Sequence, residues 1–295
     1  MPFILPPDEL KTAELTRKPE WLKVRLPGSG RYAEVRNSIR NFQLHTVCQS
    51  ARCPNIGDCW ERGTATFMIL GDICTRACTF CAVKTGAPTP LDHRESQRVA
   101  DAVELLGLKY AVITSVTRDD LPDGGASLFA ATIREIRQRI PGCEVEVLIP
   151  DFAGNEKALR QVCDAAPDVL NHNIETVFRL YPSVRPQAQY WRSLQLLTRA
   201  SSLGMRTKSG FMIGLGETRE EVIRTMRDLR EAHCELLTIG QYLQSTPACL
   251  PVAEFISPAT FAEYRDIALE LGFRHVESAP LVRSSYHAEV VGANL

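Results

Sequence analysis

The chain has 295 residues, 44% hydrophobic and 23% charged, the balance of a globular protein large enough to bury its own core. Lys and Arg number 34 against 35 Asp and Glu, a net charge of −1, so the basic excess of a duplex-coating nucleic-acid binder is missing. The longest apolar runs, such as residues 67–70, fall far short of the about 20 residues that span a membrane, and Asp8 and Glu9 stand where a secretory apolar segment would be. A cytoplasmic chain with no membrane or nucleic-acid partner is expected.

Residues 1–63 read as an N-terminal extension punctuated by turns: Pro2, Pro6 and Pro7, then Pro27-Gly28-Ser29-Gly30, then Cys53-Pro54-Asn55-Ile56-Gly57. Its first 52 residues carry nine Lys/Arg against five acids, either a solvated surface or a face for an acidic partner. From residue 64 short β-rich runs alternate with amphipathic ones. Strands are predicted over 64–73, 110–116, 144–149, 169–174, 206–213 and 236–241. Helices are predicted over 94–106, 127–139, 156–165, 190–202, 220–232 and 258–271. Six such units argue for a parallel sheet with right-handed crossovers. They are too few for a closed eightfold barrel, so the predicted class is α/β, an open partial (β/α)6 TIM-like barrel over 64–272. A doubly wound sheet is the alternative. Residues 273–295 form a C-terminal segment, and the two flanking segments are expected to close the barrel mouth.

Polar clusters follow several predicted strands, where parallel α/β folds bind ligands. Thr114 and Ser115 end the second, Asn173 and Glu175 follow the fourth, and Gly210 through Glu217 end the fifth. These are the candidate cofactor contacts. Thr218, ahead of two glutamates, also reads as a helix cap. No proton-transfer role is assigned to His45 or His172.

Ten cysteines are many for a reducing compartment, where clustered thiols bind metal or do chemistry more often than they pair. Six fall between Cys48 and Cys81. The other four, Cys143, Cys163, Cys234 and Cys249, read as small core hydrophobes. Cys74-x3-Cys78-x2-Cys81 follows the first strand, with Phe80 beside its last member. Structural zinc takes four ligands, whereas a [4Fe–4S] cube held by three thiolates keeps one iron open for a cofactor. Cys48-x4-Cys53-x5-Cys59 is a second triplet, matches no zinc spacing and again lacks a fourth thiol. Near the end stands Arg283-Ser284-Ser285-Tyr286.

The Cys74–Cys78–Cys81 spacing resembles the radical S-adenosylmethionine (SAM) superfamily. Joined to the first triplet and the terminal Arg-Ser-Ser-Tyr, it resembles the lipoyl synthase family over nearly the whole chain. Further matches are Ala51 to Asn55, Thr114 to Asp120, Asn171 to Thr176 and Lys208 to Glu217. The resemblance implies two [4Fe–4S] clusters. Cys74, Cys78 and Cys81 would hold the one that cleaves SAM. Cys48, Cys53 and Cys59, with a serine, would hold an auxiliary one that is consumed as sulfur source. Spacing alone leaves Ser284 and Ser285 open; the resemblance favours Ser285, with Arg283 balancing charge. The implied reaction inserts two sulfurs, at C6 and C8, into an octanoyl chain on a carrier-protein lysine. The implied carriers are the lipoyl domains of 2-oxoacid dehydrogenases and the H protein of glycine cleavage, with ferredoxin or flavodoxin as electron donor. An unactivated C–H is beyond acid–base catalysis, so a cofactor must supply the radical. Competing readings are a structural zinc or iron–sulfur protein and a ferredoxin-like carrier. Biotin synthase is the nearest chemical relative, but it lacks the first triplet and the terminal motif.

Overall fold

The computed structural model describes residues 18–24, 30–62, 64–286 and 288. The proline-rich start and the end of the C-terminal segment lie outside them. The chain first builds three helices, α1 (Gly30–Asn41), α2 (Val47–Ser50) and α3 (Ile56–Glu61), around a two-residue strand β1 (His45–Thr46). Trp60, 1% exposed, packs on Tyr32 with ring centroids 5.1 Å apart and anchors this group. Strand β2 (Thr66–Ile69) follows, then a small parallel ladder of β3 (Ile73–Cys74) and β4 (Lys84–Thr85).

The regular alternation then sets in. It runs α4 (Glu95–Leu105), β5 (Tyr110–Ser115), α5 (Ala126–Arg139), β6 (Glu144–Leu148), α6 (Glu156–Cys163) and β7 (Val169–Asn171). A short α7 (Tyr181–Val184) precedes α8 (Tyr190–Ser202), β8 (Thr207–Ile213), α9 (Arg219–Glu231), β9 (Leu236–Gln241), α10 (Pro258–Glu270) and β10 (His275–Ala279). The helix starts obey local chemistry. Thr218 and Glu221 form a reciprocal capping box on α9, Asn155 caps α6, and Ser257 caps α10 ahead of Pro258.

The main sheet has eight strands in the order β1-β2-β5-β6-β7-β8-β9-β10, and all neighbours run parallel except β1 with β2. Among the described residues its ends do not pair with each other. Six of the seven parallel strands are those predicted. The seventh, β10, pairs with β9 from His275↔Leu236 to Ala279↔Gly240. It reads polar because it is an edge strand, with Val276 its one buried residue. Strand β2 is shorter than the predicted 64–73. Leu70 (φ 71°) and Gly71 (φ 87°) turn left-handed and end it, releasing the next residues into the cysteine loop. Strand β7 is also short, but its extension stays sheet-bonded: His172 N–H donates to Lys208, and Glu175 N–H to Gly210.

Strands β2, β7 and β9 are buried along their whole length, and β5, β6 and β8 along most of theirs, as parallel strands covered on both sides require. One apolar core lies between the sheet and α4–α6 and includes Ile113, Phe129 and Val147. A second lies against α8–α10 around Leu197, Met226 and Phe261. The other face carries Thr66 and Met68 of β2, Leu148 of β6, and Gly210 and Met212 of β8, all of which line one cavity. Period two puts Glu146 on the face of Leu148, and Lys208 on that of Gly210. These two form a layer beneath the cavity. Lys208 Nζ lies 3.0 Å from both Glu146 carboxylate oxygens, and Tyr110 Oη and Asn171 Nδ2 also donate to that carboxylate.

Candidate active site

The loop after β2 leaves the carboxyl end of the sheet and is tied down at each turn. Thr75 N–H donates to the Thr117 carbonyl, Ala77 N–H to Gln187 Oε1, and Thr79 N–H to the Val184 carbonyl. Arg76, 5% exposed, is its main anchor, with its guanidinium on both oxygens of Asp119 (2.7 and 2.8 Å) and on Asp151 (2.6 Å). The Asp151 carboxyl is buried, which opposes ionisation, but Arg76 prevails and holds it at about 2. So fixed, the loop presents Cys74, Cys78 and Cys81 to a cavity of about 460 Å³. Backbone N–H groups of Arg76 and Thr117 point at Cys74 Sγ (3.4 and 3.3 Å), and that of Val83 at Cys81 Sγ (3.5 Å).

Cys48, Cys53 and Cys59 line the same cavity from the N-terminal helices. The C-terminal segment reaches them. Asn55 Nδ2 donates to the Leu281 carbonyl at 2.6 Å, and Thr66 Oγ1 to Ser285 Oγ at 2.8 Å. The Arg62 guanidinium lies 5.5 Å from the Tyr286 ring centroid and 3.9 Å from Cys59 Sγ. Arg283 is the cation beside Cys53. Ser284 and Ser285 both border the cavity.

Burial pushes Cys48 up to about 11, and Cys59 and Cys81 up to about 12, with neighbouring thiols adding to the rise. Cys53 and Cys78 are also raised, chiefly by burial, while Arg283 and Arg185 respectively pull them back. Without metal these thiols keep their protons, so metal loading releases them. Cys249, expected as a core thiol, is buried but sits beside the first loop, its Sγ 3.7 Å from the Cys81 carbonyl. Cys143, Cys163 and Cys234 lie in the apolar cores.

Of the strand-end candidates, Ser115, Asn173, Glu175 and Gly210 line the cavity. Thr114 donates its hydroxyl to the Leu148 carbonyl, and the Glu217 carboxylate accepts from the N–H groups of Gly214 and Leu215; neither borders the cavity. Glu175 is held at φ 67°, and burial raises its carboxyl against the opposing pull of Arg185. Arg185 had no signal in the sequence. It donates to the Asn173 carbonyl (3.0 Å) and Tyr181 Oη (2.9 Å), and it lines the cavity. His172 is fully enclosed, donating through Nδ1 to the Ile149 carbonyl and accepting from Ser193 at Nε2.

The donor chemistry suits an iron–sulfur cluster beside a polar cosubstrate, while among the described residues no three His, Cys, Asp or Glu side chains are gathered closely enough to hold a metal ion in this structure. Each triplet offers soft thiolates and no fourth thiol, as a cube with an open iron requires. Ser115 Oγ, Asn173 Oδ1 and Arg185 Nε are buried without partners and border the cavity. Gly210 has no room for a side chain, since a Cβ there would collide with Thr238 Oγ1 and crowd Asn173 Oδ1.

The radical SAM superfamily profile matches residues 68–229, and the profile for the N-terminal domain of lipoyl synthase of the radical SAM family matches residues 8–53. A lipoyl synthase of Rubrobacter xylanophilus is 62% identical over 273 residues, 92% of this chain and 85% of the relative. One of Caldanaerobacter subterraneus subsp. tengcongensis is 58% identical over 93% of this chain and 96% of its own. The chain belongs to the lipoyl synthase family. Membership implies a [4Fe–4S] cluster and SAM, and a protein substrate that carries an octanoyl group. Solved structures agree on the fold. Methylornithine synthase superposes with a TM-score of 0.54 at 14% identity, covering 71% of this chain and 69% of that one. Streptococcus suis SuiB bound to S-adenosylmethionine gives 0.56 at 10%, covering 75% and 51%. No helix of the described residues is long and apolar enough to cross a membrane.

Proposed function

We propose that this chain is a lipoyl synthase that inserts sulfur at C6 and C8 of an octanoyl-lysine on a carrier protein. The observation that carries the reading is two thiol triplets, each one ligand short, lining a single cavity. Cys74, Cys78 and Cys81 would hold the cluster that binds SAM. Cys48, Cys53 and Cys59, with Ser285, would hold an auxiliary [4Fe–4S] cluster. When bound, the clusters and SAM supply a 5′-deoxyadenosyl radical and the sulfur. The chain's own residues bind and shield. Ser115, Asn173, Glu175 and Gly210 are assigned to SAM, and Arg185 matches the charge of its carboxylate. Arg76 fixes the first loop, and Arg283 offsets negative charge at the second site. A serine oxygen is a harder ligand than a thiolate and easier to displace, which suits a cluster that must open. The sheet is read as an open (β/α)6 barrel with one further parallel strand. The described residues of segments 1–63 and 273–295 that line the cavity, those within 48–59 and 282–286 among them, would cover its mouth and keep side reactions from the radical. Lipoyl domains of 2-oxoacid dehydrogenases and the glycine-cleavage H protein are the proposed carriers. Ferredoxin or flavodoxin is the proposed electron donor, and the cytosol the proposed compartment.

The test is mass spectrometry of an octanoylated lipoyl-domain peptide incubated with anaerobically reconstituted protein, SAM and a strong reductant. Wild type gives lipoyl product and 5′-deoxyadenosine. Cys78→Ala gives neither, and Cys53→Ala gives 5′-deoxyadenosine without product. Loss of SAM cleavage in Cys53→Ala with the first cluster intact would break the assigned division of labour.

A further inference from the structure

Strand β2 leads into the loop of Cys74, Cys78 and Cys81, and its first residue borders the cavity beside Cys48 and Ser285. Thr66 is 3% exposed and borders the cavity. Its hydroxyl donates to Ser285 Oγ at 2.8 Å across a sequence separation of 219 residues. Its backbone and hydroxyl also neighbour Cys48 and partly offset the rise that burial imposes on that thiol. Cys48 is the first residue of the proposed auxiliary ligands and Ser285 the last. Of the two adjacent serines, it is Ser285 that bonds to Thr66 among the described residues.

We propose that Thr66 is a positioning residue of the auxiliary site, its hydroxyl aiming the Ser285 oxygen at the metal and holding it in register with Cys48. The inference rests on the reading of Ser285 as a ligand. A serine binds iron well only as the alkoxide, and a buried negative oxygen is costly unless it accepts a hydrogen bond. Thr66 is the donor already in place. Packing alone does not require it: valine has the same branched shape, suits a buried strand equally and lacks only the hydroxyl.

The experiment compares reconstituted wild type, Thr66→Val, Thr66→Ser, Ser285→Ala and the Thr66→Val/Ser285→Ala double variant. Two quantities are read: the rate of iron release to EDTA, and the Mössbauer spectrum of ⁵⁷Fe-loaded protein. Ser285→Ala identifies the release phase and spectral component that belong to the serine-ligated iron. Thr66→Val is expected to speed that phase by about tenfold, the scale of one hydrogen bond to a charged group, and to shift that component. Thr66→Ser restores both, and the double variant releases iron no faster than Ser285→Ala. A Thr66→Val variant that matches wild type while Ser285→Ala does not overturns the role of Thr66. Failure of Thr66→Ser to restore the phase overturns it too, since packing would then explain the loss. If Ser285→Ala itself matches wild type, Ser285 is no ligand, and that reading falls together with this inference.

Discussion

Single residues carry charge decisions that the surrounding fold enforces. His172 is enclosed between the Ile149 carbonyl and Ser193, and burial, aided by nearby Arg185, pulls its imidazole down from 6.5 to about 4. The folded protein therefore refuses a proton that the unfolded chain accepts. Stability that is full above pH 6.5 is lost as pH falls toward 4, by roughly 3 kcal/mol when the loss is complete. Urea unfolding at pH 7 and pH 4.5 checks this. His172→Asn should flatten the pH dependence by close to one proton, and an unchanged slope would refute the assignment. The thiol triplets were legible because ligand spacing is local. Arg185 and Thr66 were not: the Asn173 carbonyl and the Ser285 hydroxyl stand 12 and 219 residues away at no characteristic spacing, and the four-residue helix that sets Tyr181 beside Arg185 is too short to show a period.

At the scale of elements, the C-terminal segment after β10 seats on the end of β9. The Gln241 N–H donates to the Pro280 carbonyl, and a Cβ at Gly240 would collide with the Val282 carbonyl. Glycine is needed here for close approach, since its φ does not lie in the left-handed region. Gly240→Ala should push residues 280–286 off their seat while the buried strands hold. The expected outcome is a folded protein, native by far-ultraviolet circular dichroism, with iron content reduced by about half and no lipoyl product. Full iron loading of both sites would show that the segment tolerates the methyl group. Six of the parallel strands could be read from the chain because short runs rich in β-branched and other apolar residues alternate with amphipathic helical stretches, even where Glu146 and Lys208 interrupt them. Strand β10 escaped because one buried valine among His275, Glu277 and Ser278 gives no such run. Strand β1 is two residues long and is specified by its pairing with Phe67 and Met68 alone.

For the whole molecule, the layer beneath the cavity matters most. Lys208 and Glu146 are 1% and 0% exposed on different strands, and each is the other's counter-charge. Lys208→Met leaves a buried carboxylate unpaired and should cost about 3–5 kcal/mol in denaturant unfolding. Adding Glu146→Gln should recover much of that loss, because the buried charge is then gone. A single variant as stable as wild type would mean that water reaches the layer. The Asn55–Leu281 and Thr66–Ser285 bonds join positions 226 and 219 residues apart. Ligation at Cys48 and Ser285 would therefore tie nearly the entire polymer into one covalent ring. Cross-links across long loops restrict the unfolded coil most, by up to about 5 kcal/mol on the chain-entropy scale, whereas ligation within Cys74–Cys81 closes a short loop and restricts it by about half as much. Stripping iron from wild type should lower the calorimetric midpoint by about 5–10 °C, and stripping it from Ser285→Ala by less. On the proposed reading, consuming the second cluster in a turnover would also cut the staple between residues 48–59 and Ser285.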